Sequence, residues 1–298
     1  VESLPAGQLY RCLVQEARGR EPFYQPYWAY GPRLGVALDR VREAAKGNGI
    51  PRPILCSADP DLLENVECEV ERSESGLAFW SVGRALYPPD EENDQPFLPL
   101  PFGVIAACHQ PQDAEDPDEI AVGYTLWEAE GVSTLEIHVA EVDLLALYER
   151  FLALYEPFRV FWYKVHGPWE GASESDPAPD EIFVNEDLTS KDEIRAHIEL
   201  AEDDSLRNGF VTLTSYAEEG ATNVDISDHK KVVISTTSPA QRDRALEALT
   251  SLGVPRLDPF VTVDVRIAHW HYRSSDAKSR DELIAHLLAT GFSAWSPE

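Results

Sequence analysis

His269, Trp270 and His271 form the only histidine pair in this chain at a metal-ligand spacing. On an extended strand, residues i and i+2 share a face, so both imidazoles could reach one ion. Zinc needs a third ligand and usually a fourth, and no neighbouring Cys or acid completes the set. His138, His166 and His229 are candidates whose position the sequence does not fix. The pair therefore reads first as structural or surface histidine, with a metal site as the alternative. Asp228-His229-Lys230 offers a second arrangement, a D-x-K element. In metal-dependent nucleases such an element pairs with another carboxylate, and the lysine stabilises developing charge. Asp225 is too near in sequence to supply that carboxylate, so the segment reads as a polar hairpin turn.

Other chemistries find no foothold. The sequence holds no G-x-S-x-G elbow, no H-E-x-x-H helix and no phosphate-cradling glycine loop. Cys108 and His109 are adjacent, but a nucleophile and its base must meet in space rather than in sequence. Cys12, Cys56, Cys68 and Cys108 form no C-x-x-C pair and lie in apolar segments, so all four read as buried reduced thiols. The expectation is a protein that is not an enzyme, with no catalytic, cofactor or metal residues.

The elements that would position these residues follow from periodicity. Strands are expected at Leu9 to Glu16, Pro53 to Cys56, Val66 to Glu71, Leu77 to Tyr87, Phe102 to Cys108, Ala121 to Glu128 and Thr134 to Val139. The aromatic, proline-bearing stretch from Pro22 to Trp28 reads as a loop. Apolar residues at helical spacing predict helices over Leu34 to Lys46 and Val142 to Tyr155, with a short one at Asp59 to Asn65. In the second half, strands are expected at Phe158 to Val165, Phe210 to Tyr216, Lys231 to Thr236 and Phe260 to Tyr272. Helices are expected at Lys191 to Ala201, capped by Thr189 or Ser190, at Ala240 to Leu252 behind Ser238-Pro239, and at Arg280 to Ala289. Asp39 to Arg52 aligns without gaps on Asp243 to Arg256, with 7 of 14 positions identical. The match reads as a duplication or as a shared helix-stop signal of Gly, an apolar residue and Pro. The fold class is α+β: two lobes, 1–156 and 157–298, meeting near Pro157, each a mainly antiparallel sheet with helices packed on one face.

Charge says more about partners than these motifs say about catalysis. The chain of 298 residues carries 53 acidic and 25 basic side chains, a formal net charge of −28. Between Arg84 and Arg150 there is no Lys or Arg in 65 residues, against 15 acids. A field of this sign attracts basic surfaces and repels nucleic acid and anionic membranes. Aromatic content of 10% excludes an acidic disordered chain. No stretch approaches the roughly 18 apolar residues of a membrane span, and the opening residues have no secretory pattern, so a cytoplasmic location is expected.

The acids lie beside aromatics, the composition of an interface rim around anchors. The candidate partner-binding residues are Tyr87, Asp90, Glu91, Glu92 and Asp94 in the first acidic loop, and Asp113, Glu115, Asp116, Asp118 and Glu119 in the second. Tyr124, Trp127 and Glu128 follow the second loop, and Trp169 stands at a third.

This profile resembles the immunity proteins of bacterial polymorphic-toxin and type VI secretion systems: an acidic α+β chain without catalytic motifs, with aromatic-acidic segments such as Phe161 to Trp169. It is most similar to the larger immunity proteins paired with restriction-endonuclease-like nuclease toxins. The resemblance implies a bacterial, cytoplasmic toxin inhibitor, monomeric or homodimeric, that binds a basic protein and needs no cofactor. The alternatives are a metal-dependent hydrolase using His269 and His271, and an adaptor that binds a basic protein without inhibiting it.

Overall fold

The computed structural model describes residues 7–16, 23–83, 85–86, 100–109, 120–167, 169, 178–264 and 267–296. The chain is an α+β protein built on two mainly antiparallel sheets. It opens with β1 (Gln8–Glu16), β2 (Phe23–Gly31), α1 (Leu34–Gly47) and β3 (Pro53–Asp61). Short strands follow: β4 (Val70–Arg72), β5 (Ala78–Ser81), β6 (Ala85–Leu86) and β7 (Val104–Ala106). The hairpin β8 (Gly123–Ala129) and β9 (Val132–His138) leads into α2 (Leu144–Tyr155). Next come β10 (Val160–Val165), β11 (Glu181–Asn185), α3 (Lys191–Leu200), β12 (Val211–Ala217), β13 (Thr222–Ile226) and β14 (Val232–Thr236). The chain ends with α4 (Pro239–Leu252), β15 (His269–His271), α5 (Arg280–Ala289) and β16 (Ser293–Trp295).

The first sheet has the order β15-β7-β3-β1-β2-β5-β4, with β6 also paired to β2. The second runs β16-β11-β10-β12-β13-β14-β9-β8. Pro157 thus lies inside the run of elements that builds the second sheet, because β8 and β9 precede it and pair onto β14. Sheet membership changes between Ala106 and Gly123, and β15 returns to the first sheet by pairing with β7.

One face of the first sheet is covered by α1, whose Leu34, Ala37, Leu38, Val41 and Ala45 are buried against Cys12, Val14 and Tyr27. The second sheet packs Phe161, Tyr163, Leu213, Val224 and Ile234 against Tyr148, Phe151 and Leu152 of α2, Ile194 of α3 and Leu249 of α4. Each aliphatic or aromatic side chain fully withdrawn from water contributes about 1.5–3 kcal/mol, so these layers hold the fold. Caps form at Ser190 and Ser238, as the sequence places them, and also at Ser279. Ser190 and Ser279 form capping boxes with Glu193 and Glu282, and Ser238 accepts from Gln241 N–H with Pro239 in the first turn.

Several expectations are corrected. Phe23 to Trp28 is strand β2, not a loop, and pairs with β1 along its length. Pro26 is tolerated because β5 takes Tyr27 to Ala29 and β6 takes Phe23 and Tyr24, leaving Gln25 and Pro26 between them. The helix expected from Asp59 is instead the end of β3, which pairs with β1 as far as Leu9↔Asp61. A single 3-10 turn, Leu63–Asn65, follows it. Val66 and Val70 pack beside Trp28 and Phe79 as the alternation predicts, but only Val70–Arg72 is strand and Cys68 is exposed rather than buried. Cys108 is partly exposed, and all four thiols are free. The long strand expected from Phe260 shrinks to His269–His271. Its apolar start, Val261, Val263 and Ile267, fills a small core with Leu100, Val104 and Ile120.

The helix-stop segments share their chemistry: Ile50 N–H donates to Ala45 O, and Val254 N–H to Leu249 O. Their sequels differ. β3 is a long central strand, whereas Arg256 makes only an isolated parallel bridge to Tyr124. Among the described residues, no helix is long and apolar enough to cross a membrane.

Candidate functional site

The two sheets meet at backbone level. Gly103 and Gly209 approach so closely that a Cβ on Gly209 would lie 1.9 Å from Gly103 O. Tyr272 stitches the same point, its N–H donating to Gly103 O and its carbonyl accepting Gly209 N–H. Three histidines gather at this seam. His269 and His271 lie on β15 in register with Ala106 and Val104 of β7. His229 comes from the other sheet, at the tip of the β13–β14 turn. That turn is closed by Lys230 N–H donating to Ser227 O, with Lys230 at a φ of 58°.

The ring centroids of His229, His269 and His271 lie 4.7 to 5.2 Å apart. One nitrogen from each ring falls within 4.8 Å of the other two. Every Nδ1 faces an oxygen: Asp228 Oδ1 at 3.0 Å for His229, Ile267 O at 2.8 Å for His269, and Gly209 O for His271. Burial lowers the pKa of His269, and pushes His271 down to about 4. Asp228 is pulled up by burial but more strongly down by the His229 hydrogen bond and the histidines around it, so it is held well below the usual carboxylate range. His166, one strand away, bonds Thr212 Oγ1 through Nε2 at 3.0 Å, with Asp228 Oδ2 at 3.9 Å.

The lysines beside this cluster are turned away. Lys230 is fully buried, its Nζ donating to Ser205 O at 3.1 Å and Val211 O at 3.4 Å, and burial lowers its pKa to about 7. Lys231 is clamped between Glu136 and Asp264. The D-x-K element is thus a turn with its lysine sunk into the core, unlike the outward catalytic lysine the spacing suggests. Sequence reasoning left His229 unplaced. The turn reading put it at a hairpin tip, but nothing local signals that the tip meets a strand 40 residues later.

Asp59 forms a second polar cluster on the first sheet. Its Oδ1 accepts Trp270 Nε1 at 2.9 Å, and its Oδ2 faces His109 Nδ1 at 2.6 Å. Ser57 Oγ lies 3.3 Å from Cys108 Sγ. Burial raises the Cys108 pKa to about 11, so the Cys108–His109 neighbours do not form an activated thiolate.

Of the expected partner-binding residues, Tyr87, Asp90, Glu91, Glu92, Asp94, Asp113, Glu115, Asp116, Asp118 and Glu119 lie outside the described residues. Trp127 is on β8, the end strand of the second sheet, and is 47% exposed. Its indole N–H reaches Glu136 Oε1 at 3.3 Å. Glu128 on the same strand pairs with Arg242 at 2.8 Å. Tyr124 is half-buried, and its backbone is covered by the Pro255 to Leu257 segment. Trp169, expected as a surface anchor, is only 9% exposed, its ring tilted against Phe210 at a centroid distance of 4.9 Å. Tyr124, Trp127 and Glu128 thus share β8, with Trp127 on the face opposite to Tyr124 and Glu128, while Trp169 belongs to the core. Comparison with protein-family models, curated proteins and solved structures found no match to this chain.

Proposed function

We propose that this chain binds a basic protein and, in the manner of an immunity protein, neutralises it by stoichiometric association. The observation that carries the reading is Trp127: a large aromatic, half exposed on the end strand of a sheet, with its indole N–H on the carboxylate of Glu136. Exposed tryptophan costs solvation without helping the fold, whereas in a desolvated contact it is among the strongest single anchors. The overall negative field of a chain of net charge −28 favours a partner of opposite sign and speeds its approach. Beyond the part of β8 covered by Pro255 to Leu257, this end strand pairs with no further strand among the described residues, which leaves it open to strand addition.

The test is genetic and then physical. Basic proteins encoded beside this gene are expressed alone and with the chain. The expected result is that one of them arrests growth, that the chain restores it, and that the two form a defined complex. Trp127→Ala should abolish the rescue while the protein stays folded. Should none of the neighbouring products be toxic or bind, or should Trp127→Ala and Trp127→Glu protect as well as the wild type, the proposal fails.

A further inference from the structure

We infer that His229, His269 and His271 form a three-imidazole site for a divalent transition metal, zinc by donor chemistry, bridging the two sheets at their seam. The argument starts from proton positions. Ile267 O and Gly209 O can only accept, so His269 and His271 carry their proton on Nδ1. Asp228 Oδ1 fixes the same tautomer in His229. The Nε2 atoms of the neutral rings are therefore bare acceptors; those of His229 and His269 face each other, and His271 brings a ring nitrogen within 4.8 Å of both neighbours. His229 Nε2 and His269 Nε2 stand 3.2 Å apart, a repulsive contact between two lone pairs unless a positive charge sits between them. A tetrahedral zinc with bonds of about 2.0–2.1 Å separates its ligand atoms by about 3.3–3.4 Å, so the His229–His269 spacing matches shared coordination, with His271 closing in from within 4.8 Å.

The surroundings suit a cation. Each ring is oriented through its second nitrogen by a carbonyl or carboxylate, the outer-shell pattern that fixes metal-binding histidines. Asp228 supplies a negative charge directly behind His229, and Asp264 adds another nearby while neutralising Lys231. Lys230, next to the ligand in sequence, directs its ammonium into the core away from the cluster. Imidazole donors suit Zn²⁺ and also Co²⁺, Ni²⁺ and Cu²⁺, while oxygen-seeking Mg²⁺ and Ca²⁺ are disfavoured. Three protein ligands leave a fourth tetrahedral position for water or an incoming side chain. The ligands come from both sheets, so the ion would tie the β13–β14 turn to β15.

The experiment uses the full chain, stripped with chelator and titrated with Zn²⁺ or Co²⁺ alone. One ion per chain is expected, with the intense visible absorption of low-coordinate cobalt. His269→Gln and His271→Gln should each lose stoichiometric binding, Asp228→Asn should weaken it by about 10- to 100-fold, and His109→Gln should leave it unchanged. Histidine-selective nitrogen NMR of the wild type keeps the test decisive if a variant does not fold. Zn²⁺ should shift the Nε2 signals of three of the eight histidines and leave their Nδ1–H protons in place. Substoichiometric uptake by the wild type, a six-coordinate cobalt spectrum, ligand variants that bind as well as the wild type, or unshifted imidazole signals would overturn the inference. The last outcome would mean that the gap holds only a shared proton.

Discussion

The seam and the outer edge of the second sheet divide the polar chemistry of this molecule between them. At the seam, polar groups are buried and their partners fixed: Tyr272 bonds both Gly103 and Gly209, and three imidazoles hang from a carboxylate and two carbonyls. At the edge, Trp127 and Glu128 are exposed and their bonds are to other surface side chains. Buried polar groups are costly to leave unpaired, so the seam tolerates little change. Exposed ion pairs contribute little to stability, so the edge is free to vary and to bind. The lesson is that charge count marks the edge and geometry marks the seam.

The largest effect is expected at the seam's closest approach. Gly209→Ala sets a methyl against backbone, Gly103 O, which cannot move aside without parting the sheets. A loss above about 4 kcal/mol, or failure to fold, is expected in urea unfolding. A tolerated alanine would show that the sheets slide freely and would erase the contrast with the edge.

Next in size is an acid sensitivity in the buried region. His138 is buried, and burial with the nearby Lys231 charge lowers its pKa from 6.5 to about 4, against Ala121 O and Asp264. Between those values the unfolded chain binds the extra proton, so stability falls as pH drops from 6.5 towards 4, by at most about 3 kcal/mol. His138→Asn should flatten this part of the stability-against-pH curve measured by thermal unfolding. An unchanged slope would assign the acid sensitivity to other groups, such as His197, which burial also lowers to about 4.

At the edge, Trp127→Ala should weaken partner binding by about 2 kcal/mol or more while changing stability by less than about 1 kcal/mol. A fall in melting temperature without loss of affinity would make Trp127 part of the core. Association should slow several-fold from low to physiological ionic strength, with dissociation little altered, as stopped-flow would show. The smallest effect belongs to Glu128→Gln. Breaking its exposed pair with Arg242 should shift stability by no more than about 0.5 kcal/mol.

Much of the frame was legible because local physics writes it. Ser190 and Ser238 start helices where their capping partners stand, and Gly131 turns the β8–β9 hairpin. Segments whose state depends on distant partners were not. Phe23 to Trp28 has the residues of a turn, and only the gap between β5 and β6 makes room for Pro26 in a strand. The run from Phe260 signalled burial correctly but not its irregular backbone, which its small core shapes. In the candidate site, the pair on β15 was visible from spacing alone. His229 was not, because proximity across two sheets leaves no periodic trace. Trp169 looked like an anchor because acids surround it in sequence, yet Phe210 covers its ring.

The return of β15 to the first sheet bears on how the chain is made. Ala106 waits on the sheet's edge for His269, across more than half of a 298-residue chain. During synthesis the first sheet therefore emerges before β15, and among the described residues β7 lacks its partner on that side until β15 has left the ribosome. An open strand edge of this kind invites pairing with other nascent chains. Expression at low temperature or with abundant chaperones should raise the soluble yield of the full chain. Fragments ending near Pro157 should aggregate, because they leave β7 without β15 and detach β8 and β9 from β14.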